Sequence, residues 1–242
     1  MKKRRLDEIL QERGATQDKQ EAFVIVTEGR VFLDGQKAIS PAQLVGEHAK
    51  VEVKNADGYV GRGAYKLEAA LAQFGIDATG KICADIGAAT GGFTEVLLRR
   101  GAEKVYAIDT ARGKLALKIR QDPRVIVMEQ TDVRDLKALP EQVDIAVIDV
   151  SLISLRDILG AIRRLLAPDG VVAALFKPQY ETRDARILHH GVIRDPSERE
   201  KLAEDFAAWA ARNGWEIQAK IESPIRGDKG NGEYLFYIIL AS

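Results

Sequence analysis

From Tyr59 onward, apolar runs of strand length alternate with stretches of helical spacing, and this alternation restricts the fold more than any other feature of the chain. The strand candidates are Ile82–Ile86, Lys104–Ile108, Val125–Glu129, Ile145–Asp149, Gly170–Phe176, Ile217–Glu222 and Tyr234–Leu240. The helix candidates are Ala64–Phe74, Thr94–Arg100, Leu115–Arg120, Ser154–Leu166 and Ser197–Asn213. A helical crossover returns the chain for a parallel strand and covers one face of the sheet. The expected core is therefore an α/β fold with a mostly parallel sheet, buried on both faces. Asp195-Pro196-Ser197-Glu198 opens the last helix with proline and acids where an N-terminus favours them. The last two strands are separated only by the loop Ser223–Glu233, so a hairpin with one antiparallel strand is expected.

The segment from Arg4 to about Lys54 has a different texture. Leu6, Ile9 and Leu10 mark a short helix stopped at Gly14, and Gln20–Val26 reads as a second helix ended by Gly29. Asp34-Gly35 lies between Arg30–Leu33 and Gln36–Ile39, a strong hairpin signal. A strand over His48–Val53 closes the unit, and Asn55-Ala56-Asp57-Gly58 is a turn-rich linker. Two units follow, residues 1–57 (α+β) and 58–242 (α/β).

Composition narrows the function classes. Of 242 residues, 46% are hydrophobic and 30% charged, which is globular. No run of about 18 apolar residues is present, so no membrane span is expected. The basic start Met1-Lys2-Lys3-Arg4-Arg5 leads into Leu6-Asp7-Glu8 and not into the apolar core of a leader. The single cysteine, Cys83, sits in an apolar run and reads as a core thiol, which suits the cytoplasm. His48, His189 and His190 lack the ligand spacing of a metal site, and Trp209 and Trp215 read as packing residues. A net charge of +0 counts against nucleic-acid binding, although a local basic patch decides that question.

The chemistry is expected at the strand ends. In an open α/β sheet, ligands bind beyond the carboxyl ends of the strands. The first strand of the larger unit leaves through Asp85-Ile86-Gly87-Ala88-Ala89-Thr90-Gly91-Gly92-Phe93, whose glycines permit a close backbone approach to a ligand. The order is not G-x-G-x-x-G, and no phosphate-binding lysine is present. Asp109 ends the second strand about 24 residues after Asp85, near the offset at which an acid holds a ribose hydroxyl pair. Asp132 follows the third strand. Acids in this series suit an adenosine carrying a charged amino-acid tail, S-adenosylmethionine.

The same loop resembles the cofactor loop of FtsJ-type RNA 2′-O-ribose methyltransferases. The chain as a whole resembles the TlyA family, the haemolysin A-like rRNA methyltransferases, through Gly61-Arg62-Gly63-Ala64-Tyr65-Lys66-Leu67, Asp122-Pro123-Arg124-Val125, Asp149-Val150-Ser151-Leu152-Ile153-Ser154-Leu155, Phe176-Lys177-Pro178-Gln179-Tyr180-Glu181, Gly191-Val192-Ile193-Arg194-Asp195 and Ser223–Glu233, in family order. The resemblance implies a Rossmann-like class I methyltransferase domain with a seven-stranded sheet, preceded by a small S4-like RNA-binding domain. It also implies a catalytic tetrad of Lys66, Asp149, Lys177 and Glu233. Asp85, Gly87, Ala88, Gly91, Gly92, Phe93, Asp109, Asp132 and Asp149 would serve S-adenosylmethionine. Arg4, Arg5, Lys19, Arg62, Arg226 and Lys229 would serve RNA, with ribosomal RNA and ribosomal subunits as partners and cytidine as the nucleotide. The chain departs from the family at Ala89 (usually Ser), at Asp109-Thr110-Ala111-Arg112-Gly113, at Leu152 (commonly Phe), and at Asp18-Lys19-Gln20-Glu21-Ala22, where a Ser-Arg run is usual.

Methyl transfer to a ribose hydroxyl is an in-line displacement that needs alignment and removal of a proton. A lysine acts as base when burial or a nearby positive charge disfavours its ammonium form. Lys177 is the expected base, with Asp149 and Lys66 positioning the hydroxyl and Glu233 orienting the two lysines. Arg112, Lys114, Lys118 and Arg183 add basic charge near the same edge. Three other functions compete: a non-catalytic RNA-binding or ribosome-assembly factor, a small-molecule methyltransferase, and a membrane-active haemolysin, for which no amphipathic or barrel pattern is seen.

Overall fold

The computed structural model describes residues 3–16, 18–27, 29–46, 48–53 and 58–241. In the N-terminal unit, β1 (Lys3–Arg5), α1 (Leu6–Glu12), α2 (Lys19–Thr27), β2 (Val31–Leu33), β3 (Gln36–Lys37), β4 (Leu44–Gly46) and β5 (Val51–Val53) surround a small core of Leu6, Leu10, Ala22, Ile25, Val31 and Val45. The expected hairpin is present. Asp34 and Gly35 both take positive φ, 50° and 81°, the conformation of a type I′ turn, and β2 pairs with β3 on one side and β5 on the other. One sheet was not expected: β1 pairs antiparallel with β4. Lys3-Arg4-Arg5 is exposed throughout, so no alternation of apolar residues announces it. The last strand is shorter than His48–Val53, because only Val51–Val53 pairs. Most of the linker expected at Asn55–Gly58 lies outside the described residues, which resume at Gly58.

The larger unit contains α3 (Ala64–Phe74), β6 (Ile82–Ile86), α4 (Gly92–Arg99), β7 (Lys104–Ile108), α5 (Leu117–Arg120), β8 (Val125–Met128), β9 (Val143–Ile148), α6 (Leu155–Leu165), β10 (Leu166–Phe176), α7 (Pro178–Glu181), α8 (Pro196–Arg212), β11 (Trp215–Glu222) and β12 (Tyr234–Leu240). The seven strands lie in the order β11-β12-β10-β9-β6-β7-β8. All neighbouring pairs are parallel except those of β12, which runs antiparallel to both β10 and β11. The expected final hairpin is therefore present, with β12 as the reversed strand.

The period-2 alternation of the strands divides the core between two faces. Cys83, Val105, Ile145, Val147, Ala173 and Leu175 pack under α3, α4 and α5. Ala84, Ile86, Tyr106, Ile108, Ile148, Val172 and Phe176 pack under α6 and α8. Burial of a single Leu such as Leu159 contributes roughly 1.5–3 kcal/mol. Asp195 and Ser154 cap α8 and α6 with their side-chain oxygens. Several boundaries move, most by one or two residues. β9 ends at Ile148, leaving Asp149 just beyond the sheet, and β10 begins at Leu166, with a register shift across Pro168-Asp169-Gly170. Trp215 is buried and Trp209 stacks on Phe206, both packing roles. Cys83 is a buried free thiol that burial pushes up to about 12.

Candidate active site

β6 sits between β7 and β9, so the crossovers on its two sides run in opposite directions and the strand ends part above it. Two adjoining clefts open there, of about 870 and 660 Å3. Gly87, Ala89, Asp149, Ser151 and Tyr180 line both. The larger is bounded by Asp109, Thr110, Asp132 and Val133 at the ends of β7 and β8. The smaller is bounded by Lys66, Phe93, Lys177, Arg226 and Glu233.

The loop between β6 and α4 forms the floor. Its first two amides, of Gly87 and Ala88, donate to the carbonyl of Ile108, which bends the chain sharply across β7. Gly87 has φ +85°, and a Cβ there would meet the Asp149 carbonyl oxygen at 2.3 Å. Gly91 has φ +93° and backs onto Leu115 and Ile119, and Gly92 faces the backbone of Ala64 and Gly61. The loop glycines thus serve close packing beneath the clefts: Gly87 also lines both and Gly92 the smaller, whereas Gly91 lines neither. Ala88 and Phe93 line the smaller cleft.

Asp85 is not at the cleft surface. It shares the strand face of Cys83, turned toward α4, and is fully buried. Its Oδ2 accepts from the Thr94 amide at 2.8 Å and the Thr94 hydroxyl at 2.6 Å, which fastens the start of α4 to β6. Its Oδ1 has no partner among the described residues, and burial pushes the carboxyl up to about 7. A direct cofactor contact expected from its place near a strand end is thus replaced by a supporting contact behind the loop.

Asp109 and Asp132 do line the larger cleft. Asp109 also organises its own surroundings, accepting from the amides of Ala89 at 2.8 Å and Ala111 at 2.7 Å. Asp132 caps a single helical turn and pairs with Arg134, whose guanidinium holds the carboxyl below its usual range.

The four expected catalytic side chains all line the smaller cleft, arranged as two ion pairs. Lys177 Nζ stands 2.6 Å from Asp149 Oδ1 and donates to Ser151 Oγ at 3.0 Å. Lys66 Nζ donates to Glu233 Oε2 at 2.5 Å, with both side chains nearly inaccessible. The expectation that Glu233 orients both lysines is therefore revised: each lysine has its own carboxylate. Lys66 comes from the first turn of α3, Asp149 and Lys177 from the ends of adjacent parallel strands, and Glu233 from just before β12. Gly63, just before α3, lies beside Asp149: a Cβ there would stand 3.5 Å from Oδ2, an ordinary contact.

Of the basic candidates, Arg62 and Arg226 lie on the wall of the smaller cleft, and Lys229 is exposed nearby in the same loop as Arg226. Arg4 and Arg5 are on β1, paired with Glu12 and Asp7, and Lys19 is exposed at the start of α2. No cluster able to hold a metal occurs among the described residues. Two site residues escaped the sequence reading. Ser151 touches Lys177, and only the motif containing it pointed there. Gly227 leaves room for Glu233, because a Cβ would lie 1.9 Å from Oε1, and a glycine in a polar loop gives no signal of that.

The model of the FtsJ-like methyltransferase family matches residues 59–239. The chain belongs to that family. It is 39% identical over 238 residues to the 16S/23S rRNA (cytidine-2′-O)-methyltransferase TlyA of Mycobacterium tuberculosis, covering 97% of this chain and 89% of the relative. It is 38% identical to Hemolysin A of Brachyspira hyodysenteriae, covering 98% and 100%. A solved structure from Streptococcus thermophilus, named for hemolysin, superposes with a TM-score of 0.76 at 36% identity, covering 100% of this chain and 90% of that one. The FtsJ-like methyltransferase domain accounts for the Rossmann-like sheet. No described helix is long and apolar enough to cross a membrane.

Proposed function

We propose that the chain transfers the methyl group of S-adenosylmethionine to the 2′-hydroxyl of a cytidine in ribosomal RNA. The observation that carries this reading is the pair of clefts joined at Asp149, one rimmed by carboxylates and the other containing two lysine–carboxylate pairs. The larger cleft fits the cofactor. Asp109 and Asp132 offer acceptors for hydroxyls or an ammonium group, and Asp149 offers negative charge toward a sulfonium at the junction. When bound, S-adenosylmethionine would supply an electrophilic methyl group. The names of the matched relatives support ribosomal RNA and cytidine as the acceptor.

In this reading Lys177 acts as a neutral amine, oriented by its partner Asp149, and takes the proton of the 2′-hydroxyl. Asp149 and Ser151 fix its Nζ at the border of the two clefts, where the attacking oxygen must lie. Lys66, held by Glu233, donates a hydrogen bond to the same oxygen and orients its lone pair. Arg62, Arg226 and Lys229 contact phosphates around the cleft and position the strand without reading sequence. The N-terminal unit, residues 1–57, supplies further RNA contacts through Arg4, Arg5 and Lys19, and residues 58–242 carry the chemistry.

The test is nucleoside analysis of ribosomal subunits incubated with the protein and S-adenosylmethionine. A new 2′-O-methylcytidine supports the reading. A methylated base, or methylation of a small molecule in place of RNA, refutes it.

A further inference from the structure

Glu181 ends the motif that begins at Lys177, yet it lies outside the two ion pairs. Its side chain is about 1% exposed. Oε1 accepts from the Leu155 amide at 2.7 Å, and Oε2 accepts from the Ser154 hydroxyl at 2.6 Å and from Arg156 at 3.0 Å. All three partners lie at the start of α6, which is the far end of the loop that leaves β9 through Asp149 and Ser151. Lys177 is the extended residue that precedes the single turn of α7, and Glu181 is the last residue of that turn. The segment 177–181 therefore fastens to the segment 149–156 at two points: Lys177 to Asp149 and Ser151, and Glu181 to Ser154, Leu155 and Arg156.

Between these points the β9 loop is strained. Leu152 has φ +67°, a conformation that L-residues other than Gly, Asn and Asp rarely adopt, and it is 86% exposed, so its own packing does not hold it there. Strain of this kind persists only where the surroundings impose it. The Asp149 amide, bound to the Ile86 carbonyl at 2.9 Å, fixes one end of the loop, and Glu181 fixes the other.

We propose that Glu181 is a positioning residue for methyl transfer: its carboxylate closes the loop after β9 onto α7 and so holds Ser151 and Asp149 against Lys177. The inference rests on the proposed role of Lys177, and its test includes a readout independent of that role. Glu181→Ala is expected to lower kcat at least tenfold, with KM for ribosomal subunits and cofactor Kd within threefold of wild type. Glu181→Gln, which keeps an acceptor for the Leu155 amide and a partner for Ser154, is expected to recover most of the rate. Combined with Ser151→Ala, the Glu181→Ala loss should be less than additive, because both changes act on one contact. Amide hydrogen exchange should accelerate over residues 150–155 and 178–182 in Glu181→Ala and stay unchanged in β9 and β10. Should the alanine variant not fold, Glu181→Asp, too short to reach all three partners, takes its place in each measurement. Unchanged exchange over residues 150–155 overturns the clamp whatever the substrate proves to be. So does a lower melting temperature with unaltered kcat, or a loss confined to cofactor affinity. Absence of transfer by wild type, with the exchange pattern as expected, would refute the functional reading and leave the clamp standing.

Discussion

Gly87 and the carbonyl of Asp149 are packed so closely that a single methyl group on Gly87 would stand 2.3 Å from that oxygen. The floor of the larger cleft and the strand end carrying the Asp149 carboxylate are thus one packed unit. Gly87→Ala must shift backbone on both sides and hold a non-glycine residue at φ +85°, which costs about 2–4 kcal/mol. The expected result is a cofactor affinity at least tenfold weaker by calorimetry, together with a lower melting temperature. Affinity equal to wild type would show that the contact is not needed.

Gly227 is packed as closely against Glu233. Its Cβ would overlap Glu233 Oε1 at 1.9 Å, so Gly227→Ala should push Glu233 away from Lys66. Because Gly227 does not line the larger cleft, methyl transfer should fall more than tenfold while cofactor binding is retained. Equal loss of both would place Glu233 in cofactor binding.

The Lys66–Glu233 pair is buried on both sides, at 9% and 2% side-chain exposure. Removing one partner strands the other charge without solvent, at a cost of about 3–5 kcal/mol. Glu233→Gln should therefore destabilise strongly. The double variant Lys66→Met, Glu233→Gln should regain much of that stability in urea unfolding and remain inactive. Recovery of activity would remove the pair from the chemistry.

Asp85 gives a pH dependence whose sign can be worked out. Its carboxyl ionises near 3.8 in the unfolded chain and is pushed up to about 7 in the fold, chiefly by burial and against the pull of its Thr94 hydrogen bonds. The unfolded chain therefore loses this proton first, and the stability it contributes is full below about pH 4 and declines as pH rises to about 7. Asp85→Asn can still accept from Thr94 but cannot ionise. The melting temperature of this variant relative to wild type should rise between pH 4 and 7, and a difference independent of pH would contradict the assignment.

Much of this architecture was legible in the chain because the strands of a parallel sheet are nearly continuous apolar runs. Tyr234–Leu240 and Ile82–Ile86 appear with the boundaries their composition suggests, and Asp34-Gly35 forms the expected turn. Exposed pairing was not legible: Lys3-Arg4-Arg5 joins β4 through backbone hydrogen bonds that leave no side-chain pattern. The resemblance grouped Lys66, Asp149, Lys177 and Glu233, and all four line one cleft, because strand ends and helix starts of one sheet edge converge. How they pair was not legible, since which carboxylate reaches which amine depends on the path of loops such as 223–233. Asp85 was misread for a simple reason. Position near a strand end does not say which face a side chain takes, and strand parity turns this one toward α4.

The most direct test of the account is transfer of labelled methyl from S-adenosylmethionine to purified ribosomal subunits by wild type and Lys177→Ala, with cofactor affinity measured for both. The account predicts label on a ribose, recognised by resistance of the adjacent linkage to alkaline cleavage, from wild type alone, and similar cofactor affinity in the two proteins. Full ribose methylation by Lys177→Ala would contradict it.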